Sequence, residues 1–250
     1  MIQIENLTKQ FGTGKNVKVI LNNNTWIAKD GAITGFIGHN GAGKTTTLKI
    51  MTGQMRPTNG RILLNGIDIN AEPLKSKYQF GYVPDSPDHF LRLKGIEYLN
   101  FIADVYEVPS EKRIPFIEEY AARFDIREAL GQSILSYSHG MRQKIMIMGA
   151  LIHDPSIWIL DEPMTGLDPQ SAFELKKMMK EHVAKGNSVL FSTHVLEVAE
   201  KLCDQIVVIK RGDICFDGTL DELKTSYPED MSLEEIFLDI NKQDKEAVNE

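Results

Sequence analysis

The chain has 250 residues, 42% of them hydrophobic, a formal charge of −7 and a pI near 5.5, which suit one α/β domain with an inserted subdomain and a sizeable core. Scattered basic residues and no polybasic block exclude a partner held by its nucleic-acid backbone, and no apolar stretch approaches the roughly 20 residues of a membrane span. Residues Met1 to Glu5 lack a charged leader and an apolar core, so no signal peptide is expected, and Cys203 and Cys215, without metal spacing, suit a reducing cytosol as ordinary packed residues.

Residues 1 to about 30 alternate strand-like segments with polar turns, predicting a small antiparallel sheet. Ala32 to Ile37 reads as a buried strand and Thr46 to Met51 as a helix start. Between them lies Gly38-His39-Asn40-Gly41-Ala42-Gly43-Lys44-Thr45-Thr46. Glycine at both ends of a four-residue gap, then Lys and Thr, lets backbone N–H groups converge on phosphate oxygens while the helix N-terminus adds its dipole. Gly38, Asn40, Gly41, Gly43, Lys44, Thr45 and Thr46 are therefore candidate ATP ligands. Lys44 is expected on the terminal phosphates and the Thr45 hydroxyl on Mg²⁺.

Arg61 to Gly66 predicts a further strand and turn. From about Asp88 to Gln132 the apolar period becomes helical, with Ile96, Leu99, Phe101, Ile102 and Val105, then Phe116, Ile117, Tyr120 and Phe124. Ser138 suits an N-cap for the helical run Met141 to Ile152. Ile157 to Leu160 is an unbroken apolar strand of the parallel kind, ending in Asp161 and Glu162 at the edge where such sheets bind ligands. Strand alternation is expected to turn Asp161 to the Mg²⁺ beside Thr45 and Glu162 to the attacking water. Asp168 before Pro169 suits a second N-cap. Further parallel strands are expected at Ser188 to Ser192 and Ile206 to Ile209. From Gly218 the chain is a tail in which Ser232-Leu233-Glu234-Glu235 is a capping box. Leu233, Ile236, Phe237 and Ile240 form one apolar face, expected to pack on the body, and Asn241 to Glu250 are expected to fray.

Taken in order, these segments resemble the ATP-binding subunits of ABC transporters, from about Ile2 to Asp217. Tyr137-Ser138-His139-Gly140-Met141 stands at the family's Leu-Ser-Gly-Gly-Gln signature, Met164-Thr165-Gly166-Leu167-Asp168 matches its D-loop, His194 its switch histidine and Phe11 the aromatic that stacks on adenine. The resemblance implies a P-loop NTPase with a mainly parallel sheet, an N-terminal antiparallel β subdomain and a helical subdomain inserted at about 88–150, within an ATP-binding domain 1–217 followed by a tail 218–250. It implies ATP hydrolysis with Mg²⁺, Glu162 and His194 being the catalytic pair. It implies a homodimer or heterodimer in which Ser138, His139 and Gly140 cover the phosphate bound by the other subunit and Asp168 lies at the dimer contact. It further implies a separate transmembrane permease subunit at the cytoplasmic face of the membrane. That subunit would dock in a groove lined by Asp85 to Arg92, with Tyr82, Phe90 and Leu91 as apolar contacts.

Two departures temper this pattern. His139 and Met141 replace a glycine and the glutamine of the signature, and Asp85 stands where the family often has a glutamine, as a candidate Mg²⁺ ligand. They predict slow but real turnover. The Tyr-Ser-x-Gly-Met form resembles a branch whose members partner ABC-2 exporter subunits. Two other readings stay open: a soluble ABC ATPase driving cytosolic assembly, and an ATP-binding regulatory module with little hydrolysis, against which Glu162 and His194 weigh.

Overall fold

A computed structural model of the chain describes residues 1–12, 14–228 and 231–246. In chain order it runs β1 (Ile2–Phe11), β2 (Lys18–Ala28), β3 (Ile33–Ile37), α1 (Lys44–Met51), β4 (Asn59–Leu64), β5 (Ile67–Asp68), α2 (Pro73–Lys77) and β6 (Phe80–Val83). There follow α3 (Gly95–Val105), α4 (Ser110–Arg123), α5 (His139–Leu151), β7 (Ile157–Asp161), α6 (Pro169–Ala184) and β8 (Ser188–Thr193). The chain continues through α7 (Leu196–Leu202), β9 (Gln205–Lys210), β10 (Asp213–Gly218), α8 (Leu220–Lys224) and α9 (Leu233–Glu246).

Two sheets form. One is antiparallel in the order β2-β1-β4-β5, and the other has the order β10-β9-β3-β8-β7-β6, parallel except for the edge strand β10. Every residue of β3, β7 and β8 is buried, as expected of strands covered on both faces. In β1, by contrast, Ile2, Ile4 and Leu7 point inward between less buried neighbours, so that sheet has one apolar face. That face meets the parallel sheet in a shared core where the Trp26 and Phe36 rings lie 5.2 Å apart. On the opposite side α3, α4 and α5 bring Leu99, Ile117 and Ile145 into a second core with Trp158 and Phe191. Gly35 sits in β3 with no room for a side chain, since a Cβ there would come 2.6 Å from the Cys203 sulfur at the end of α7.

Several expectations change in detail. Helix α1 starts at Lys44 rather than Thr46, because the helical turn begins within the glycine loop itself. Phe101 and Val105 keep the helical period yet face outward, 46% and 53% exposed, while Leu99 is the fully buried member of that set. Cys203 is packed, but Cys215 is exposed on β10. The Ser232–Glu235 box forms in both directions, and Leu233 and Ile236 are buried against Ile37, Leu196 and Ile206. Helix α9 continues through Glu246, past the point where fraying was expected, and 247–250 lie outside the described residues. No helix among the described residues is long and apolar enough to cross a membrane.

Candidate functional site

The loop from Gly38 to Gly43 joins β3 to α1, and its conformation needs glycine. Gly41 and Gly43 have φ of 81° and 120°, and a Cβ on Gly38 would stand 2.5 Å from the Ile209 carbonyl oxygen. Helix α1 has no side-chain cap at its N-terminus, so its first N–H groups remain available to an anion. Asn40 and Thr45 are exposed and Thr46 is half-buried. Lys44 is nearly enclosed; its Nζ donates to Gly38 O at 2.5 Å and stands 3.6 Å from Glu162 Oε1. Lys44 thus bridges the loop and the end of β7.

Asp161 ends β7, paired with Ser192 of the adjacent strand β8. The Ser192 hydroxyl donates to Asp161 Oδ1 at 2.5 Å and accepts the Glu162 N–H at 3.0 Å. Asp161 Oδ2 is buried without a hydrogen-bond partner. Burial raises the Asp161 carboxyl above its ordinary value; the Ser192 and Thr45 hydroxyls oppose this, and the nearby charges of Asp85 and Glu162 reinforce it. A desolvated carboxylate with one unused oxygen beside the Thr45 hydroxyl is a donor set suited to a hard divalent cation.

Glu162 does not simply alternate with Asp161 along the strand. Its φ is 49°, a left-handed conformation costing about 1–3 kcal/mol that turns its side chain back over the sheet edge. There Oε2 accepts a hydrogen bond from His194 Nδ1 at 2.9 Å while Oε1 faces Lys44. Lys44, Thr45, Asp161, Glu162 and His194 therefore converge as one cluster, with Asp85, exposed on the loop after β6, within electrostatic reach. Ser192 is the residue that motif spacing missed. Its signal is a buried hydroxyl directly after the apolar run Val189 to Phe191, which has to find a polar partner.

Phe11 ends β1, 44% exposed, with Lys9 Nζ 4.9 Å over its ring. It pairs with Lys18, two residues along β2 from Ile20, whose carbonyl lies against Gly43.

The signature forms a separate cluster. Ser138 caps α5, its Oγ accepting the Met141 N–H at 3.2 Å. The exposed His139 ring packs against Gly166 so closely that a Cβ at 166, where φ is 76°, would collide with it; a Cβ on Gly140 would meet Gly166 O at 2.6 Å. Asp168 caps α6 by accepting the Ser171 N–H at 2.9 Å and pairs with Lys144 Nζ at 3.1 Å. Bonds from Ser171, then Lys144, hold its carboxyl well below the usual range. Among the described residues no hydrogen bond or ion pair joins Ser138 or His139 to Lys44 or Asp161.

Phe90 and Leu91 line a cavity of about 620 Å³ with Asp88, Arg92, Leu93 and Phe101. Phe90, at φ 56°, stands 46% exposed with its ring 5.3 Å from Tyr98 and 5.7 Å from Phe101. Tyr82 is elsewhere. It packs into the core between the sheets, with its hydroxyl raised in pKa by burial and by Asp161, because β6 points it at the catalytic edge rather than the groove. Outward-facing Phe101 takes the groove position that Tyr82 was expected to fill.

A family model for ABC transporters matches residues 21–165. The ABC-type transporter ATP-binding protein EcsA of Bacillus subtilis (strain 168) is 35% identical over 237 residues, covering 94% of this chain and 96% of that protein. A solved ATP-binding subunit of an ABC transporter superposes with a TM-score of 0.90 at 32% identity, covering 97% of this chain and all of the other. The ATP-binding cassette MJ0796, solved as a dimer after hydrolysis with ADP and phosphate bound, shares the fold with a TM-score of 0.79 at 23% identity over 88% of this chain and 99% of that one. The chain belongs to the ABC transporter family, as the ATP-binding, ATPase subunit of a transporter.

Proposed function

We propose that two copies of this chain, or this chain and a similar one, close head to tail on two ATP molecules and drive a separate transmembrane subunit of an exporter from the cytoplasmic face of the membrane. The observation that carries this reading is the Glu162 carboxylate, held between Lys44 and His194 next to the unpartnered Asp161 oxygen. Export is supported by the form of the signature, Tyr137 to Met141. The outward-facing groove of Phe90, Leu91 and Phe101 supports docking of an apolar helix from the membrane subunit.

In this reading the Gly38–Thr46 loop receives the phosphates and Lys44 leaves the Gly38 carbonyl and Glu162 for their terminal oxygens. Phe11 offers its exposed ring to the adenine. Asp161 and Thr45 would hold Mg²⁺, with Asp85 in reach, and the ion would supply neutralising charge for the transferred phosphoryl group. Released from Lys44, Glu162 takes a proton from the attacking water as the bond to the departing ADP breaks. His194 Nδ1–H keeps that carboxylate aimed. Ser138, His139 and Gly140 at the start of α5 would close over the nucleotide of the other subunit.

Glu162→Gln tests this. It should reduce turnover by about 10²-fold or more while leaving ATP bound, and the variant should run as a dimer with ATP on size exclusion. Near-normal hydrolysis by the variant would reject Glu162 as the base.

A further inference from the structure

The loop from Pro84 to Leu91 spans two places that the reaction uses. At one end, Asp85 lies near enough to Asp161 for its charge to act on that carboxyl. At the other, Asp88 Oδ1 accepts a hydrogen bond at 2.5 Å from Arg142 Nη1, on α5 four residues beyond Ser138. The same guanidinium donates through Nε to Ile134 O at 3.3 Å and through Nη2 to Leu135 O at 3.0 Å, in the turn that leads into the signature. That turn is bonded back to the loop: the Leu135 N–H donates to Leu91 O at 2.9 Å and Ser133 Oγ donates to the same oxygen at 3.0 Å. One planar fork thus holds the loop, the turn and the helix in register, which the point charge of a lysine does not reproduce.

Asp88 is 54% exposed and Arg142 21%, so the ion pair itself adds little to stability. What it fixes is geometry. Asp88 also accepts from the Ser86 hydroxyl at 3.3 Å, which shortens the free path back to Asp85 to a single residue.

We propose that Arg142 is a positioning residue that acts through Asp88: it ties the loop beside the catalytic carboxylates to the start of α5, so that a chain's own ATP site and the signature it lends to a second copy move together. The inference rests on the two-copy reading above. The state of one ATP site then reaches the other, and turnover depends cooperatively on ATP. If Arg142 instead only braced the turn at Ile134 and Leu135, Asp88 would be dispensable.

The test uses the purified full chain and four variants: Asp88→Asn, Asp88→Glu, Arg142→Gln and Asp88→Asn with Arg142→Gln. For each, the thermal midpoint, the affinity for a fluorescent ATP analogue, kcat and the Hill coefficient for ATP are measured. Asp88→Asn and Arg142→Gln should keep the thermal midpoint and nucleotide affinity, yet lower kcat about 10-fold and bring the Hill coefficient towards one. The double variant should fall no further than either single change, since both remove one connection. Asp88→Glu, which keeps the carboxylate, should retain most of the turnover. Wild-type kcat and cooperativity in Asp88→Asn, or losses that multiply in the double variant, would overturn the proposal and leave the hydrolytic reading standing. A wild-type chain that hydrolyses ATP with a Hill coefficient of one overturns the two-copy reading and this coupling with it.

Discussion

The polar groups at the edge of the parallel sheet and those at the start of α5 are organised in opposite ways. At the sheet edge side chains answer side chains: Ser192 bonds both Asp161 and the Glu162 backbone, and Glu162 is shared by Lys44 and His194. At α5 the fit is steric, with the His139 ring against Gly166 and Gly140 against the Gly166 carbonyl, while Ser138 attends only to its own helix. The first arrangement is closed on itself within one chain. The second presents its groups outward and suits a surface that something else must meet.

The carboxylates mark the same contrast. Asp161 is desolvated and raised; Asp168 is hydrogen-bonded, paired and lowered. The first leaves one buried oxygen without a hydrogen-bond partner, and the second is paired with Lys144.

The sharpest way to break this comparison is Lys44→Ala. With the one ammonium of the sheet-edge cluster removed, ATP affinity and turnover should fall together by about 10²-fold or more, as measured by nucleotide binding and phosphate release. Retained affinity would mean the loop backbone alone holds the phosphates. Next comes Ser192→Ala, which strips a donor from Asp161 and an acceptor from the Glu162 N–H. A loss of about 1–3 kcal/mol in urea unfolding, with lower kcat, is expected. An unchanged unfolding midpoint would show that the sheet edge does not depend on its serine. Gly166→Ala probes the steric region. Its new methyl collides with His139, so kcat should drop about 10-fold, and adding His139→Gly should restore much of it. If the second change brings no recovery, the left-handed backbone at 166 rather than the ring at 139 sets the cost of the methyl.

The mildest probe is pH. Because the folded state raises the Asp161 pKa above 3.8, a proton competes with a divalent cation there from above the usual carboxylate range, and Mg²⁺ affinity should weaken progressively as pH falls. The fold itself gains slightly from that protonation, since the cost of a buried charge disappears below the raised pKa and returns as pH rises through it. Asp168 behaves in reverse: its stabilising share is present above 3.8 and is lost only as pH falls towards its depressed value. Calorimetric Mg²⁺ titrations that show one flat affinity as pH falls towards 3.8 would contradict the first half of this contrast.

Much of this was legible in the sequence because it is local. The glycine spacing of Gly38 to Gly43, the apolar run ending at Asp161 and the caps at Ser138 and Asp168 each depend on residues within one turn or strand, and the chain folds there as spacing demands. What was not legible depends on residues brought together from afar. Glu162 leaves strand geometry because its partners arrive on other strands and loops. Phe101 faces outward because helical period fixes which residues share a face but not which face is outward, and Tyr82 turns inward because the pairing of β6 with β7, distant in sequence, decides which side of that short strand is covered. Arg142 and Asp88 lie 54 positions apart, and nothing in the local spacing of either segment joins them. Strand β10 was missed since an edge strand with alternating exposure carries no continuous apolar run.

The packing beneath the phosphate-bearing strand also constrains how relatives of this chain diverge. Gly35 and Cys203 divide one volume between them, with no space for a methyl on the first while the second keeps its sulfur. The two positions, 168 residues apart, are therefore coupled in order: shortening 203 to alanine or glycine first passes through a cavity and makes an alanine at 35 tolerable, whereas an alanine at 35 first meets the sulfur.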